Sequence, residues 1–169
     1  LTRYRGGARG PVMLVHCIGV SSDMYSLDTV ETNLLEFLYE AGYDVWLLDF
    51  LFSILLPDAA VAHCFDDVAT RDYPAAVAAV LRLTGRPSLQ VVAHGVGSST
   101  LTMALLAGLT GVRAAVCSQV STHLELPLLS RAKAALRLTT FAEAAGVTTM
   151  TADVSAVPEL KEELYDHLL

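Results

Sequence analysis

The sequence predicts a three-layer α/β fold, in which helices cover both faces of a mostly parallel sheet. Short apolar runs typical of buried strands alternate with segments in which apolar residues recur at helical spacing. The runs are continuously apolar, as in parallel strands that are buried on both faces. With 169 residues, 53% hydrophobic and 17% charged, the chain is long and apolar enough for a sizeable core.

Four strands are predicted, each as one short apolar run; they cover residues 12–15, 44–48, 88–93 and 112–117. Three helices are predicted between and after them. The first contains leucines at helical spacing and ends before Gly42, and the second runs from Tyr73 to Gly85. The third, residues 101–109, is apolar nearly all round, which predicts a helix buried at the centre of the fold.

The alternation of strands and helices stops after residue 118. We therefore predict a sheet core at residues 1–119 and a helical, cap-like segment at residues 120–169, with helical patterns at 130–138 and 158–169. The charged side chains of the last stretch are mostly acidic, which is typical of a solvated helix face.

Charge and composition exclude several classes of partner. The net charge of −7 argues against nucleic acid or an anionic membrane surface. The longest apolar run, residues 45–56, is too short to cross a bilayer, so we predict no transmembrane segment.

Cys17, Cys64 and Cys117 are odd in number and widely spaced, which predicts reduced core thiols and a cytoplasmic location. Histidine, cysteine and aspartate residues do not recur at the spacing of metal ligands, so we predict no metal site.

The segment that carries chemistry is V-V-A-H-G-V-G-S-S, which joins a predicted strand to a helix. Small residues at Ala93 and Gly97 with variable residues at His94 and Val96 match a nucleophile elbow, Gly-x-Ser-x-Gly, in which small residues flank a sharp turn. Gly95 occupies the tip, where a serine, cysteine or aspartate normally projects. The sequence therefore predicts the turn with a vacant nucleophile position.

A second loop, V-H-C-I-G, follows the first strand, where a His-Gly-x-Gly-like loop would supply an oxyanion-hole N–H. Cys17 occupies the place of the first glycine. We expect an oxyanion to be held by the N–H of Cys17, or alternatively of Ile18, and by that of Val96 at a helix N-terminus. Three side chains beside these loops are expected to contact a substrate: His16, His94 and Ser98.

Four further stretches contribute to a resemblance with a known family: residues 1–7, 42–49, 72–77 and 104–109. With the two loops, they make the sequence resemble the α/β-hydrolase superfamily, most closely the hydrolase-like modules associated with bacterial GMC-type, cholesterol-oxidase-like oxidoreductases. The resemblance runs from residue 1 to about residue 123 and corresponds to the N-terminal half of such a sheet. It implies an apolar ester, lactone or related acyl substrate. The residue spacing predicts no cofactor.

The chain departs from the family at several positions. Gly95 offers no nucleophile, and Phe-Leu-Phe follows Asp49 where the family often has arginine and small residues. None of the five histidines lies where the resemblance implies the general base. Three hypotheses follow: a hydrolase with weak or absent turnover, a non-catalytic module that binds an apolar ligand or docks on a partner, and a fragment whose missing part holds the acid and histidine. The docking partner would be an oxidoreductase or a second copy at an exposed sheet edge.

Other assignments of the same residues are less favoured. Ser98 and Ser99 lie in the first turn of a helix, where their hydroxyls are expected to cap or pack. Cys17 is either a reactive thiol beside a helix N-terminus or, as we expect, a small buried thiol. The run from Gly95 lacks the third glycine and the later acidic residue of a dinucleotide site.

Overall fold

The structure is a computed structural model that describes residues 1–57 and 63–121, together with residues 128 and 131. The chain divides into two compact units, Leu1–Leu124 and Glu125–Leu169. The cap-like segment predicted for residues 120–169, with its helical patterns at 130–138 and 158–169, lies outside the described residues except for 120, 121, 128 and 131.

The first unit contains a five-stranded, mostly parallel sheet, so the general α/β class is confirmed. Its strands, in chain order, are β1 (Thr2–Tyr4), β2 (Pro11–Val15), β3 (Asp44–Leu48), β4 (Leu89–His94) and β5 (Val112–Ser118). Their order in the sheet is β1-β3-β2-β4-β5. The four predicted strands are all present, and their bounds differ from the prediction by no more than one residue at each end.

Strand β1, which the sequence did not predict, pairs antiparallel with β3. Arg3 fixes this pairing with a bidentate ion pair to Asp44, at 3.0 and 2.9 Å. The same guanidinium lies over the Trp46 ring, 4.8 Å from the ring centroid. Because β1 has three residues and lies mostly exposed, it carries no hydrophobic period that a sequence pattern could reveal.

Helices pack on both faces of the sheet. They are a 3₁₀ helix (Ser22–Tyr25), α1 (Leu34–Glu40), α2 (Phe65–Asp67), a π-helical turn (Val68–Asp72), α3 (Tyr73–Thr84) and α4 (Val96–Leu106). Gly42 and Gly85 follow α1 and α3 with φ of +88° and +66°, the left-handed conformation that ends a helix. Helix α4 begins at Val96, directly after Gly95, as expected for the turn, and it includes the start of the apolar stretch predicted at residues 101–109.

Alternate side chains of β2 enter two apolar clusters, one on each face of the sheet. Met13 and Val15 pack with Phe50, whereas Val12 and Leu14 pack on the opposite face. All five β2 residues are buried, which explains why this strand is continuously apolar in the sequence.

Two expectations about burial are wrong. Helix α4 is not buried all round, because Leu106 is 84% exposed and Leu105 is 38% exposed. Cys64 and Cys117 are exposed and are not core thiols. Cys117 lies on β5, an edge strand among the described residues, whose residues from Arg113 to Ser118 are all exposed.

Candidate functional site

The site lies where the direction of the sheet connections reverses. From β2 the chain passes to β3 on one side, and it later returns to β4 on the other side of β2. Parallel pairing aligns Val15 with Ala93, so the carboxyl ends of β2 and β4 lie side by side. The loops that leave such a pair of strands diverge and form the crevice in which open α/β sheets bind ligands. Cys17 and Gly95 lie in these two loops.

The turn after β4 is sharp and depends on glycine at two positions. Gly95 has φ +55° and ψ −121°, a conformation that L side chains rarely adopt, and α4 begins at the next residue. A Cβ at Gly97 would lie 2.5 Å from the His16 carbonyl oxygen, so only glycine allows this approach of the two loops. The hydroxyl of Tyr73, the first residue of α3, donates to the Gly97 carbonyl oxygen at 2.6 Å and links α3 to the turn.

The Cys17 thiol fills the space in front of Gly95. A Cβ built on Gly95 would overlap Cys17 Sγ and would lie 3.1 Å from Cys17 Cβ. The Val96 N–H, the first of α4, donates to the same sulfur at 3.5 Å. Side chains at positions 17 and 95 therefore compete for one space, and the sulfur occupies it at the positive end of a helix.

A cavity of about 520 Å³ opens above this floor. Its floor is formed by Cys17, Gly95 and Val96, and its apolar wall is formed by Phe65, Met103 and Leu106. Ser99, Thr102, Gln119 and Ser121 add a few polar groups. A mostly apolar pocket lined by a few N–H and hydroxyl groups suits an apolar molecule that carries one polar function.

His16 and Asp49 lie behind the floor. The His16 Nδ1 is 2.6 Å from the Cys17 carbonyl oxygen, and its Nε2 is 3.6 Å from Asp49 Oδ1. Burial lowers the pKa of His16 below its ordinary 6.5, although the Cys17 carbonyl and the Asp49 charge act in the opposite direction. Burial acts to raise the pKa of Asp49, but hydrogen bonds from Ser22 and Ser53 and the nearby His16 outweigh it and lower the pKa below 3.8.

The predicted site residues are only partly brought together. Cys17, Gly95 and Val96 share the cavity floor, whereas Ile18 is 49% exposed and is not among the lining residues. His16 is fully buried behind the floor, so a substrate contact by its ring is not supported.

The two remaining side chains that were expected to contact a substrate are engaged elsewhere. Ser98 is fully buried and donates to the carbonyl oxygens of Ala93 and Ser118, which matches the packing role expected for its hydroxyl. His94 contacts the Ser118 hydroxyl, with 3.2 Å between Nδ1 and Oγ. Neither residue lines the cavity.

Sequence reasoning missed the apolar wall and Asp49. Val96, Ser99, Met103 and Leu106 recur every three or four residues, so one face of α4 lines the cavity. That spacing was available in the sequence, but residues 101–109 were interpreted as a helix buried all round, which concealed the face that lines the cavity. Nothing in the sequence pattern connects Asp49 with His16, because their proximity depends on the pairing of β2 with β3.

A comparison with known protein families finds none that matches the chain. A comparison with curated proteins finds no match either. Within residues 1–57 and 63–121, no helix has the length and apolar character needed to cross a membrane. The same residues contain no group of three or more histidine, cysteine, aspartate or glutamate side chains arranged to hold a metal ion.

Proposed function

We propose that this chain is an α/β-hydrolase-type protein that binds an apolar ester, lactone or related acyl compound and hydrolyses it weakly or not at all. One observation carries the proposal. The Val96 N–H, the first of an eleven-residue helix, lies at the floor of an apolar cavity directly after a strand-to-helix turn at Gly95. Its contact with Cys17 Sγ, at 3.5 Å, is long enough for a ligand oxygen to replace it. An N–H in this position stabilises negative charge on a ligand oxygen.

The proposed weakness of hydrolysis follows from the vacant tip of the turn. Gly95 has no side chain to attack a carbonyl carbon, so the attacking atom would be water or a group outside the site. Oxyanion stabilisation alone leaves some rate enhancement when the attacking side chain is missing. We therefore expect the cavity to bind acyl compounds more effectively than it converts them.

Hydrolysis of p-nitrophenyl butyrate tests the proposal in four proteins: the parent, Gly95→Ser, Cys17→Gly and the variant that carries both changes. The parent should remain close to the buffer rate. Gly95→Ser alone should gain nothing, because its Cβ would overlap the Cys17 sulfur. The combined variant has room for the serine and should release one slow burst of p-nitrophenol.

Two outcomes oppose the proposal. Rapid turnover by the parent would contradict the weak hydrolysis, and loss of that turnover in Cys17→Gly would identify the sulfur as the attacking atom. A folded combined variant that reacts no faster than the parent would contradict the hydrolase-type site. The apolar-ligand module without catalysis would then be the better proposal.

A second candidate function, docking on a partner, is favoured by the exposure of β5. Val116 is 60% exposed, and the strand pairs on one side only among the described residues. Unpaired strand edges offer N–H and C=O groups to another strand. If a second copy binds here, Val116→Lys should shift the chain from dimer to monomer in sedimentation. The association with a GMC-type oxidoreductase rests on the resemblance alone.

A further inference from the structure

Among the described residues, one ring nitrogen of the buried His16 imidazole has no hydrogen-bond partner. The residue is fully buried, and its ring stacks on Phe50 with 4.3 Å between ring centroids. Because the Cys17 carbonyl oxygen at 2.6 Å can only accept, Nδ1 carries a hydrogen and donates it. In the neutral ring Nε2 then holds a lone pair, and no hydrogen-bond partner reaches it in the part of the chain that the structure describes.

That lone pair faces a fixed carboxylate. Asp49 Oδ1, 3.6 Å from Nε2, accepts the Ser22 N–H at 2.9 Å and the Ser53 hydroxyl at 2.7 Å. Oδ2 accepts the Ser22 hydroxyl at 2.7 Å. Three donors hold the carboxylate as an anion. A lone pair opposite an anionic oxygen is unfavourable, whereas an N–H in the same place would be attracted to it.

We propose that His16 and Asp49 form a buried proton-binding site that regulates the loop at the floor of the cavity. The imidazole takes up one proton from solvent at Nε2, and its charge changes from zero to +1 opposite the Asp49 carboxylate. The regulation of ligand binding rests on the proposed function of the cavity. The proton-binding site itself does not.

The coupling to the cavity runs through one peptide group. Nδ1 of His16 holds the Cys17 carbonyl, and in a trans peptide the N–H of Ile18 points the opposite way. A charged ring donates a stronger hydrogen bond than a neutral one, so proton uptake fixes this peptide more firmly. The same residue, Cys17, supplies the sulfur that meets the Val96 N–H.

Among the described residues, Asp49 is the charged group that acts on the His16 ring. The neighbouring 3₁₀ helix contributes Tyr25, whose hydroxyl donates to a β2 carbonyl oxygen. Helix α4 contributes Gly97, which has no side chain, and the loop contributes the Cys17 thiol. Burial opposes the proton and Asp49 favours it, so the ring should change charge on the acidic side of 6.5.

NMR of the ligand-free chain with ¹⁵N-labelled histidine tests the proposal. At neutral pH the His16 ring should carry its hydrogen on Nδ1, and Nε2 should gain one on acidification. The Ile18 amide resonance should follow the same midpoint. Asp49→Asn should lower that midpoint, because the neutral amide does not attract the charged ring. Ser53→Ala removes a donor from Oδ1 and should raise it, while Ser26→Ala, at a half-buried serine of the same region whose hydroxyl donates to the Asp23 carbonyl oxygen, should leave it unchanged.

The proposal is overturned if neutral His16 carries its hydrogen on Nε2, or if a folded Asp49→Asn protein keeps the parent midpoint. An Ile18 amide that does not follow His16 overturns the coupling to the loop. Octanoate affinity measured across the same midpoint tests the regulation and should change there. If octanoate does not bind while His16 titrates as expected, the proposed function fails and the proton-binding site stands.

Discussion

Cys17 Sγ occupies the place where a side chain at Gly95 would begin. The two residues lie in loops that follow neighbouring parallel strands, and they are 78 positions apart in the chain. We infer that the two positions are sterically coupled, so a change at one has to be interpreted with the other.

Gly95→Ser should destabilise the protein by about 2–4 kcal/mol. Overlap with the Cys17 sulfur contributes about 1–3 kcal/mol, and the positive φ contributes about 1 kcal/mol more. Urea unfolding measures the sum. Gly85→Ser provides the matched control, because Gly85 has a similar φ of +66° and nothing within 4 Å of its Cβ position.

Adding Cys17→Gly to Gly95→Ser should restore about 1–2 kcal/mol of the free energy of unfolding, because it relieves the overlap between the two side chains. The double-mutant cycle isolates this coupling from the cost of φ, which the Gly85→Ser control reports. Strict additivity of the two single changes would show that the sulfur moves aside freely, contrary to the steric coupling.

Tyr73→Phe should cost about 1 kcal/mol and loosen the turn at Gly95. The buried Tyr73 hydroxyl donates to the Gly97 carbonyl oxygen at 2.6 Å, and its removal leaves that oxygen with the Thr100 hydroxyl at 3.1 Å. Hydrogen exchange at the first amides of α4 should become faster. Tyr39→Phe, at an exposed tyrosine, should change neither quantity.

The stability of the protein should fall as the pH drops below 6.5, and His16 should account for part of the fall. Burial lowers the pKa of His16 in the folded state, so between that pKa and 6.5 the unfolded chain binds more protons. The loss approaches about 1.4 kcal/mol per pH unit in this window. His16→Gln removes the titrating group, so the unfolding free energy of the parent relative to this variant should fall on acidification. A constant or rising difference would be inconsistent with a buried neutral histidine.

Asp49 should give a stabilising contribution that is also lost on acidification, but at lower pH than the His16 effect. Its pKa is lowered in the folded state, so the contribution is present above 3.8 and is lost as the pH falls through the native pKa. Asp49→Asn has one acceptor oxygen instead of two and cannot accept all three hydrogen bonds from Ser22 and Ser53, so it should cost about 1–2 kcal/mol near neutral pH and less in acid. Asp23→Asn is the control on the adjoining 3₁₀ helix.

The centre of the sheet was predictable because strands β2 and β3 are buried on both faces. Residues 44–48 are continuously apolar after Asp44, and all five are buried in β3. Strand β1 was missed for the opposite reason, since its stability comes from the ion pair between Arg3 and Asp44, 41 residues away. A pairing of this kind leaves no local signal in the sequence.

The turn at Gly95 was predictable from its small residues, whereas the contents of the site were not. The position of the Cys17 sulfur depends on the register between β2 and β4, which no local pattern encodes. The burial expected for Cys64 and Cys117 was wrong because an apolar sequence neighbourhood does not determine which elements cover a side chain. For Cys117, the exposed strand β5 decided the outcome.

The most direct test of the account is a titration of the ¹⁵N-labelled chain with octanoate, an apolar molecule with one anionic end. We predict that the Val96 amide resonance shifts in a saturable way, that octanol shifts it far less, and that Thr102→Phe in the cavity blocks the effect while the exposed Leu83→Phe does not. A Val96 amide that ignores octanoate, or that responds equally to octanol, would contradict the claim that this cavity binds acyl compounds through the N-terminus of α4.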